Sequence, residues 1–381
     1  MSARQTRKTV SKKPHRLKRH IDRVKGISLK HQLQKVWYLL GKLFQIKIVR
    51  YFLVLLLFII LLPFLLYFLL KPEIQRNINY GVTFSPRYAT EMGLDWKKTH
   101  TAILDDLGIK HLRVVAYWDQ IESQKDVYDF SEVKWQLDEA QKRDAKVIMT
   151  IGRKVPRWPE CFEPDWWKRT EDENIKKAEL YQYVEMAIKE LKSYDNITMW
   201  QVENEPFFKF GECDYIDKED VQAEIAIVRR IDDKKRPILV QDSGEGGYWF
   251  PTYSLGDYLG ISMYRRIWFD FWGIFLGRSV YFKYPLGHWT YAMKGKLLRV
   301  PTDKIIVTEL QAEPWGPRIN SQLTDEERDQ TMSRDKFLDT IAYAQQSGIK
   351  DLYLWGVEWW YWEKEVNHNP FYWNAVKAIA N

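Results

Sequence analysis

Two glutamates carry the strongest chemical signal in this chain: Glu205 in MWQVENEPF and Glu309 in IIVTELQAEPW, each closing a short apolar run of β character. Cleavage of a glycosidic bond needs an acid to protonate the leaving oxygen and a second carboxylate to attack or stabilise the sugar carbon. Strand ends of one barrel can hold two such groups at a fixed separation. Taken singly, Glu309 reads equally well as the cap of a following helix, and Asn204-Glu205-Pro206 as a surface turn. The pair at two strand ends is what points to sugar chemistry.

The elements that must position them follow from the pattern of the chain. From Asn79 onward, β-type runs at 80–84, 111–116, 146–151, 198–202, 238–241, 258–262, 304–308 and 351–355 alternate with amphipathic stretches. The predicted helices are 97–107, 131–143, 179–193, 218–232, 291–299, 325–347 and 371–380, with Gly108 and Gly348 stopping two of them before the next strand. This alternation predicts a parallel sheet with crossover helices. A doubly wound sheet usually has a Gly-rich turn after its first strand, and Tyr80-Gly81-Val82-Thr83-Phe84-Ser85 is no GxGxxG. Eight units therefore predict a (β/α)8 TIM barrel over 79–381. The longest irregular stretch, 264–289, carries Trp268, Phe271, Trp272, Tyr281 and Trp289 among its aromatics. It reads as a sugar platform or lid, as packing on the barrel rim, or as a bilayer contact.

Charge divides the chain. Residues 1–50 hold nine Lys and six Arg against the single acid Asp22, a net +14, which leaves the remainder at −7. A basic tail beside an acidic body argues against nucleic-acid binding, which needs positive charge spread over a folded surface. Residues 51–70 then form twenty uncharged residues, long enough to cross a bilayer, with Pro63 tolerable as a kink. The long leading segment and the lack of a small-x-small pattern before Lys71 favour an uncleaved anchor over a signal peptide. By the positive-inside rule the N-terminus is cytoplasmic and the carboxy-terminal part extracytoplasmic. The expected organisation is a basic disordered tail (1–26), an amphipathic juxtamembrane helix (27–50), a transmembrane helix (51–70), a linker (71–78) and the barrel. Cys161 and Cys213 fall in neighbouring loops on the predicted extracytoplasmic side, where they form either a disulfide or two free thiols; two cysteines alone have no metal-site spacing.

With Asn204-Glu205-Pro206 on the fourth run and Glu309 on the seventh, the chain resembles the clan A retaining glycoside hydrolases, closest to family 5 cellulase-like and family 42 β-galactosidase-like members. The resemblance covers about residues 80–381. Arg113, then Trp118-Asp119-Gln120-Ile121-Glu122, then Tyr128-Asp129-Phe130-Ser131 are similar to the clan's stretch after strand two. The resemblance implies Glu205 as general acid/base, Asn204 on the sugar 2-hydroxyl and Glu309 as nucleophile, with Arg113 and Tyr264 bonded to the nucleophile. It further implies Trp355 as the aromatic floor, Trp359 in the same run as an alternative to it, and Trp118 among the substrate contacts. Arg113 reads otherwise as a structural ion pair, and any of the tryptophans as core. No metal and no cofactor are implied. The third run leads into Gly152-Arg153-Lys154-Val155-Pro156-Arg157-Trp158, without the histidine frequent in that clan.

The expected protein is thus a membrane-anchored retaining glycoside hydrolase that cleaves O-glycosidic bonds of β-linked glycans, with an oligo- or polysaccharide and the lipid bilayer as its partners. Transglycosylation uses the same residues. A catalytically silent, glycan-binding barrel is the alternative from another class.

Overall fold

The computed structural model describes residues 31–39, 41–42, 46–70, 72–75, 77–213, 216–269 and 280–380. The expected tail over 1–26 lies outside them. The chain divides into two units, Met1–Leu69 and Leu70–Asn381. In the first, residues 31–39 are helical, and Lys47–Leu70 is one 24-residue α-helix that includes Pro63. From Lys47 to Leu69 this helix is long and apolar enough to cross a membrane.

The second unit is a closed barrel of eight parallel strands. In chain order these are β1 (Asn79–Phe84), β2 (His111–Val115), β3 (Lys146–Ile151), β4 (Ile197–Val202), β5 (Ile238–Asp242), β6 (Tyr258–Met263), β9 (Ile305–Gln311) and β10 (Asp351–Trp355). They close as β1-β10-β9-β6-β5-β4-β3-β2. Strands β7 (Arg266–Phe269) and β8 (Val280–Lys283) form a separate antiparallel pair.

Period-two alternation sorts the barrel residues. Ile148, Met199, Leu239, Ile306 and Tyr353 form an apolar cluster of their own, apart from the larger core that holds Val147, Trp200, Val240, Val307 and Leu352. The first set fills the barrel interior and the second lies under the helices. Gly81 belongs to this interior arrangement: a Cβ there would come within 2.6 Å of the Tyr353 ring and 2.8 Å of the His111 carbonyl oxygen. Gly81→Ala is expected to cost about 1–3 kcal/mol by overpacking. Thermal unfolding of the variant tests this, and an unchanged Tm would contradict it.

Two residues further along the strands, Ile148 gives way to Thr150, Met199 to Gln201 and Leu239 to Gln241. The interior thus turns polar toward the carboxy-terminal ends of the strands. Strand β9 needs a device to join this layer. Its register with β6 runs Ile261–Val307 and then Ser262–Glu309, and with β10 it runs Leu352–Val307 and then Leu354–Leu310. One extra residue, Thr308, therefore bulges from β9 against both neighbours. In a regular strand of the same length Glu309 would share the outer face with Val307; with the bulge Glu309 turns inward. The Thr308 carbonyl accepts from the Thr83 hydroxyl at 3.0 Å, and the Thr308 hydroxyl donates to the Ile261 carbonyl at 3.2 Å.

Several expectations change. The stretch 264–289 is not wholly irregular, because it contains the β7/β8 pair and ends at the helix Trp289–Leu298. The predicted 325–347 helix is two, Asp325–Met332 and Arg334–Gln345, broken where Ser333 caps the second through the Lys336 amide. The helix expected at 179 starts at Glu173, because the Asp172 side chain accepts from the Asn174 and Ile175 amides. Strand β9 runs on to Gln311, so Glu309 lies within it.

Candidate active site

At the carboxy-terminal ends of the strands, one guanidinium organises the polar layer. Arg113, fully buried on β2, donates from Nη1 to Glu309 Oε1 at 3.0 Å and from Nε to Gln201 Oε1 at 2.8 Å. Its Nη2 donates to Asn204 Oδ1 at 2.7 Å and to Gln241 Oε1 at 2.6 Å. Removing this cation from water is tolerable because every arm of the fork meets an acceptor, one of them a carboxylate. Glu309 also accepts from Gln241 Nε2 at 2.8 Å and from the Tyr264 hydroxyl at 3.2 Å. Three donors, one of them cationic, complement negative charge on this carboxylate.

Glu205 sits in contrasting surroundings. It leaves β4 at φ 46°, two residues after Glu203 at φ 59°, in the left-handed region that costs a non-glycine residue on the order of 1–2 kcal/mol. Such strain persists where the surroundings over-determine it. Here the Lys154 ammonium accepts that task, donating to the Glu205 carbonyl at 3.0 Å and the Phe208 carbonyl at 2.8 Å. The Glu205 carboxyl is 5% exposed as a residue and is bonded by the Ser262 hydroxyl at 2.7 Å. Burial first, then the charges of Glu309 and Glu160, hold its pKa well above the ordinary carboxylate range, so it keeps a proton where Glu309 faces donors. A carboxyl that burial keeps protonated thus lies beside one that accepts from three donors, the arrangement an acid and its partner need.

The structure brings Glu205, Glu309, Asn204, Arg113 and Tyr264 together. Asn204 Nδ2 is buried with no partner among the described residues, leaving a donor to offer. Trp355 ends β10, but the Arg157 guanidinium lies 4.2 Å over its ring and only 8% of the residue is exposed. Two expected contacts are not part of the site. Trp118 is wholly buried, stacked on Tyr183 and bonded to Glu122, and Trp359 packs against Tyr372 with 1% exposed. Both serve the layer between strands and helices; their composition resembled a sugar platform, but a tryptophan's identity does not say which way it faces. Cys161 and Cys213 are joined as a disulfide with Cα atoms 5.2 Å apart.

Sequence reasoning missed Gln201, Gln241 and Ser262. The signal was present, since a glutamine in the otherwise apolar ITMWQV or ILVQ runs must find buried partners. It also missed Glu160, a third buried carboxyl, 3.4 Å from the Lys154 ammonium, and Arg157, which bridges Glu313 and Glu358 between the Tyr88 and Trp355 rings.

Residues 80–354 match the cellulase family, glycosyl hydrolase family 5. No curated protein matches the sequence. Among solved structures, the chain is similar to a GH5_18 protein of Bifidobacterium longum subsp. infantis, at 17% identity and TM-score 0.50 over 74% of this chain and 69% of that one. It is also similar to a GH5_18 protein of Streptomyces cattleya, solved with GlcNAc, at 14% identity and TM-score 0.50 over 74% and 70% of the two chains. The exo-β-1,4-mannosidase Op5Man5 of Opitutaceae bacterium strain TAV5 matches at 14% identity and TM-score 0.51, over 73% of this chain and 51% of that one. At these identities the likeness is one of fold.

Proposed function

We propose, from the premise that the chain belongs to glycosyl hydrolase family 5 and is a glycosidase, that it cleaves β-linked glycans with retention, through a covalent intermediate on Glu309. In the first step the Glu309 carboxylate attacks the anomeric carbon, the bond from that carbon to the leaving oxygen breaks, and the Glu205 proton passes to that oxygen. In the second, water attacks the same carbon, its proton goes to the Glu205 carboxylate, and the ester to Glu309 breaks. Asn204 Nδ2 donates to a sugar hydroxyl. The observation that carries this reading is the Arg113 fork, which ties Glu309 and the neighbour of Glu205 to one rigid cation. Retention further requires carboxyls roughly 5–5.5 Å apart.

The helix Lys47–Leu70, preceded by thirteen basic residues, supports a single-pass anchor with a cytoplasmic N-terminus and the barrel outside, in the domain arrangement expected from the sequence. The reading is tested on the full chain in detergent with a panel of aryl β-glycosides and β-glucans, following the anomer first released by NMR. Release of the β-anomer supports retention; release of the α-anomer, or no turnover on any member, overturns it.

The pH profile offers a finer check. The Ser262 hydroxyl bonds the Glu205 carboxyl and favours its charged form, so Ser262→Ala should raise the pKa of Glu205 further. The alkaline limb of kcat/KM, which reports the free enzyme's acid, is expected to move to higher pH by roughly 0.5–1 unit. A limb that stays in place or moves down would show that Glu205 is not that acid.

A further inference from the structure

Lys154 and Glu160, on the loop after β3, are buried charges whose bonds serve the turn of Glu205. Lys154, 2% exposed, meets that turn with every polar atom it has. Its amide donates to Glu203 Oε2 at 2.7 Å, and its carbonyl accepts from the Asn204 amide at 2.6 Å. Its ammonium donates to the Glu205 and Phe208 carbonyls at 3.0 and 2.8 Å. Among the described residues the ammonium has one salt-bridge partner, Glu160 Oε2 at 3.4 Å.

Glu160 carries two costs at one residue. Its backbone is left-handed, at φ 71°, and its carboxyl is buried. A glycine would relieve the first and a neutral side chain the second, so packing alone gives no reason for a glutamate here. The loop fixes where this carboxyl lies. The Val155 amide donates to the Glu160 carbonyl at 2.8 Å and the Phe162 amide to the Arg153 carbonyl at 3.0 Å, with Lys154 paired opposite Cys161. The Cys161–Cys213 disulfide then ties this hairpin to the loop that follows Glu205.

Charge counting connects the pair to the chemistry. Arg113 is bonded to Glu309 and Lys154 to Glu160, while the Glu205 carboxyl is bonded by a neutral hydroxyl, that of Ser262. Two anions balance two cations, and the third carboxyl stays neutral by keeping its proton. Burial raises the pKa of both Glu160 and Glu205. The Lys154 ammonium is the strongest pull downward on Glu160, helped by Arg113 and opposed by Glu309. On Glu205 its pull is weaker than the Ser262 bond and is opposed by Glu309 and Glu160.

Resting on the reading of Glu205 as the acid, we propose that Lys154 and Glu160 are positioning residues for it: Lys154 holds its backbone, and Glu160 supplies the counter-charge that lets a cation sit beside a carboxyl that must stay neutral. A cation alone would do the first task at the expense of the second, since an uncompensated ammonium favours the ionised acid.

Glu160→Gln keeps the shape and removes the counter-charge. With the full chain in detergent on a β-linked glycan, the alkaline limb of kcat/KM is expected to move about one pH unit lower, opposite to the shift for Ser262→Ala. A limb that stays in place or moves up would overturn the role of Glu160. Lys154→Met/Glu160→Gln removes both charges and leaves neither buried without its partner. Its kcat/KM is expected to fall about 10²-fold on the glycan but less than about threefold on the dinitrophenyl β-glycoside of the same sugar, whose leaving group needs no proton. Equal losses on both would make Lys154 a general support of the fold and overturn its positioning role. Glu205→Gln is assayed beside them. No turnover by the parent, or a limb that persists in Glu205→Gln, refutes the acid reading and the proposal with it. A limb that vanishes there yet is unmoved by Glu160→Gln refutes the pair alone.

Discussion

Glu309→Gln is expected to lower kcat by roughly 10⁴–10⁶-fold on every substrate, leaving the fold and KM little changed, the scale seen when a covalent nucleophile is removed. The amide is nearly isosteric with the carboxylate but cannot form the glycosyl ester. Its NH₂ would face the Arg113 and Gln241 donors at the Oε1 position, or the Tyr264 hydroxyl at the Oε2 position, so the second placement is the less costly. The measurement is steady-state kinetics with an intact-mass search for a trapped 2-fluoroglycosyl adduct, expected on the parent and absent from the variant. An adduct mapped to another residue would reassign the nucleophile.

Glu205→Gln should behave differently, because the role proposed for this residue is to deliver a proton. On glycans and other poor leaving groups the loss is expected to be about 10²–10⁴-fold. On an activated leaving group such as dinitrophenolate, which departs without protonation, formation of the intermediate should be nearly normal and its hydrolysis slow, giving a burst. The alkaline limb of the pH profile should disappear, since the group held above its ordinary range by burial and by Glu309 no longer titrates. A uniform loss across leaving groups with the limb retained would exclude Glu205 as the acid.

Much of this architecture is legible in the residues because the eight apolar runs lie where a parallel barrel must bury them, and each appears within a few residues of its predicted place. The site was legible only where residue type dictates partnership. An arginine inside a β run must find an acid, and Arg113 finds Glu309. The split at Ser333 was also readable, as a capping serine followed by Asp335 in the first turn of the next helix. The orientation of large aromatics was not. Trp118, Trp355 and Trp359 share composition and context, yet one is sealed among helices, one lies under Arg157 and one packs on Tyr372. Which ring faces the mouth depends on backbone turns after each strand, and those depend on tertiary partners. The β7/β8 pair was missed for the same reason, since its two short strands pair only with each other.

The Thr308 bulge sets which way the Glu309 side chain points. If β9 kept its length but lost the bulge, regular alternation would carry Glu309 to the face of Val307, among the helices; deletion of Thr308 instead removes the extra residue and leaves the carboxylate facing the interior. The barrel can therefore lose the direction of this carboxylate without any change in chain length, simply by straightening β9. A folded copy whose β9 ran straight would hold the same residues and the same apolar pattern with its acid turned away from Arg113, so the irregular register at Thr308, rather than strand length, is the feature that sets a working barrel apart.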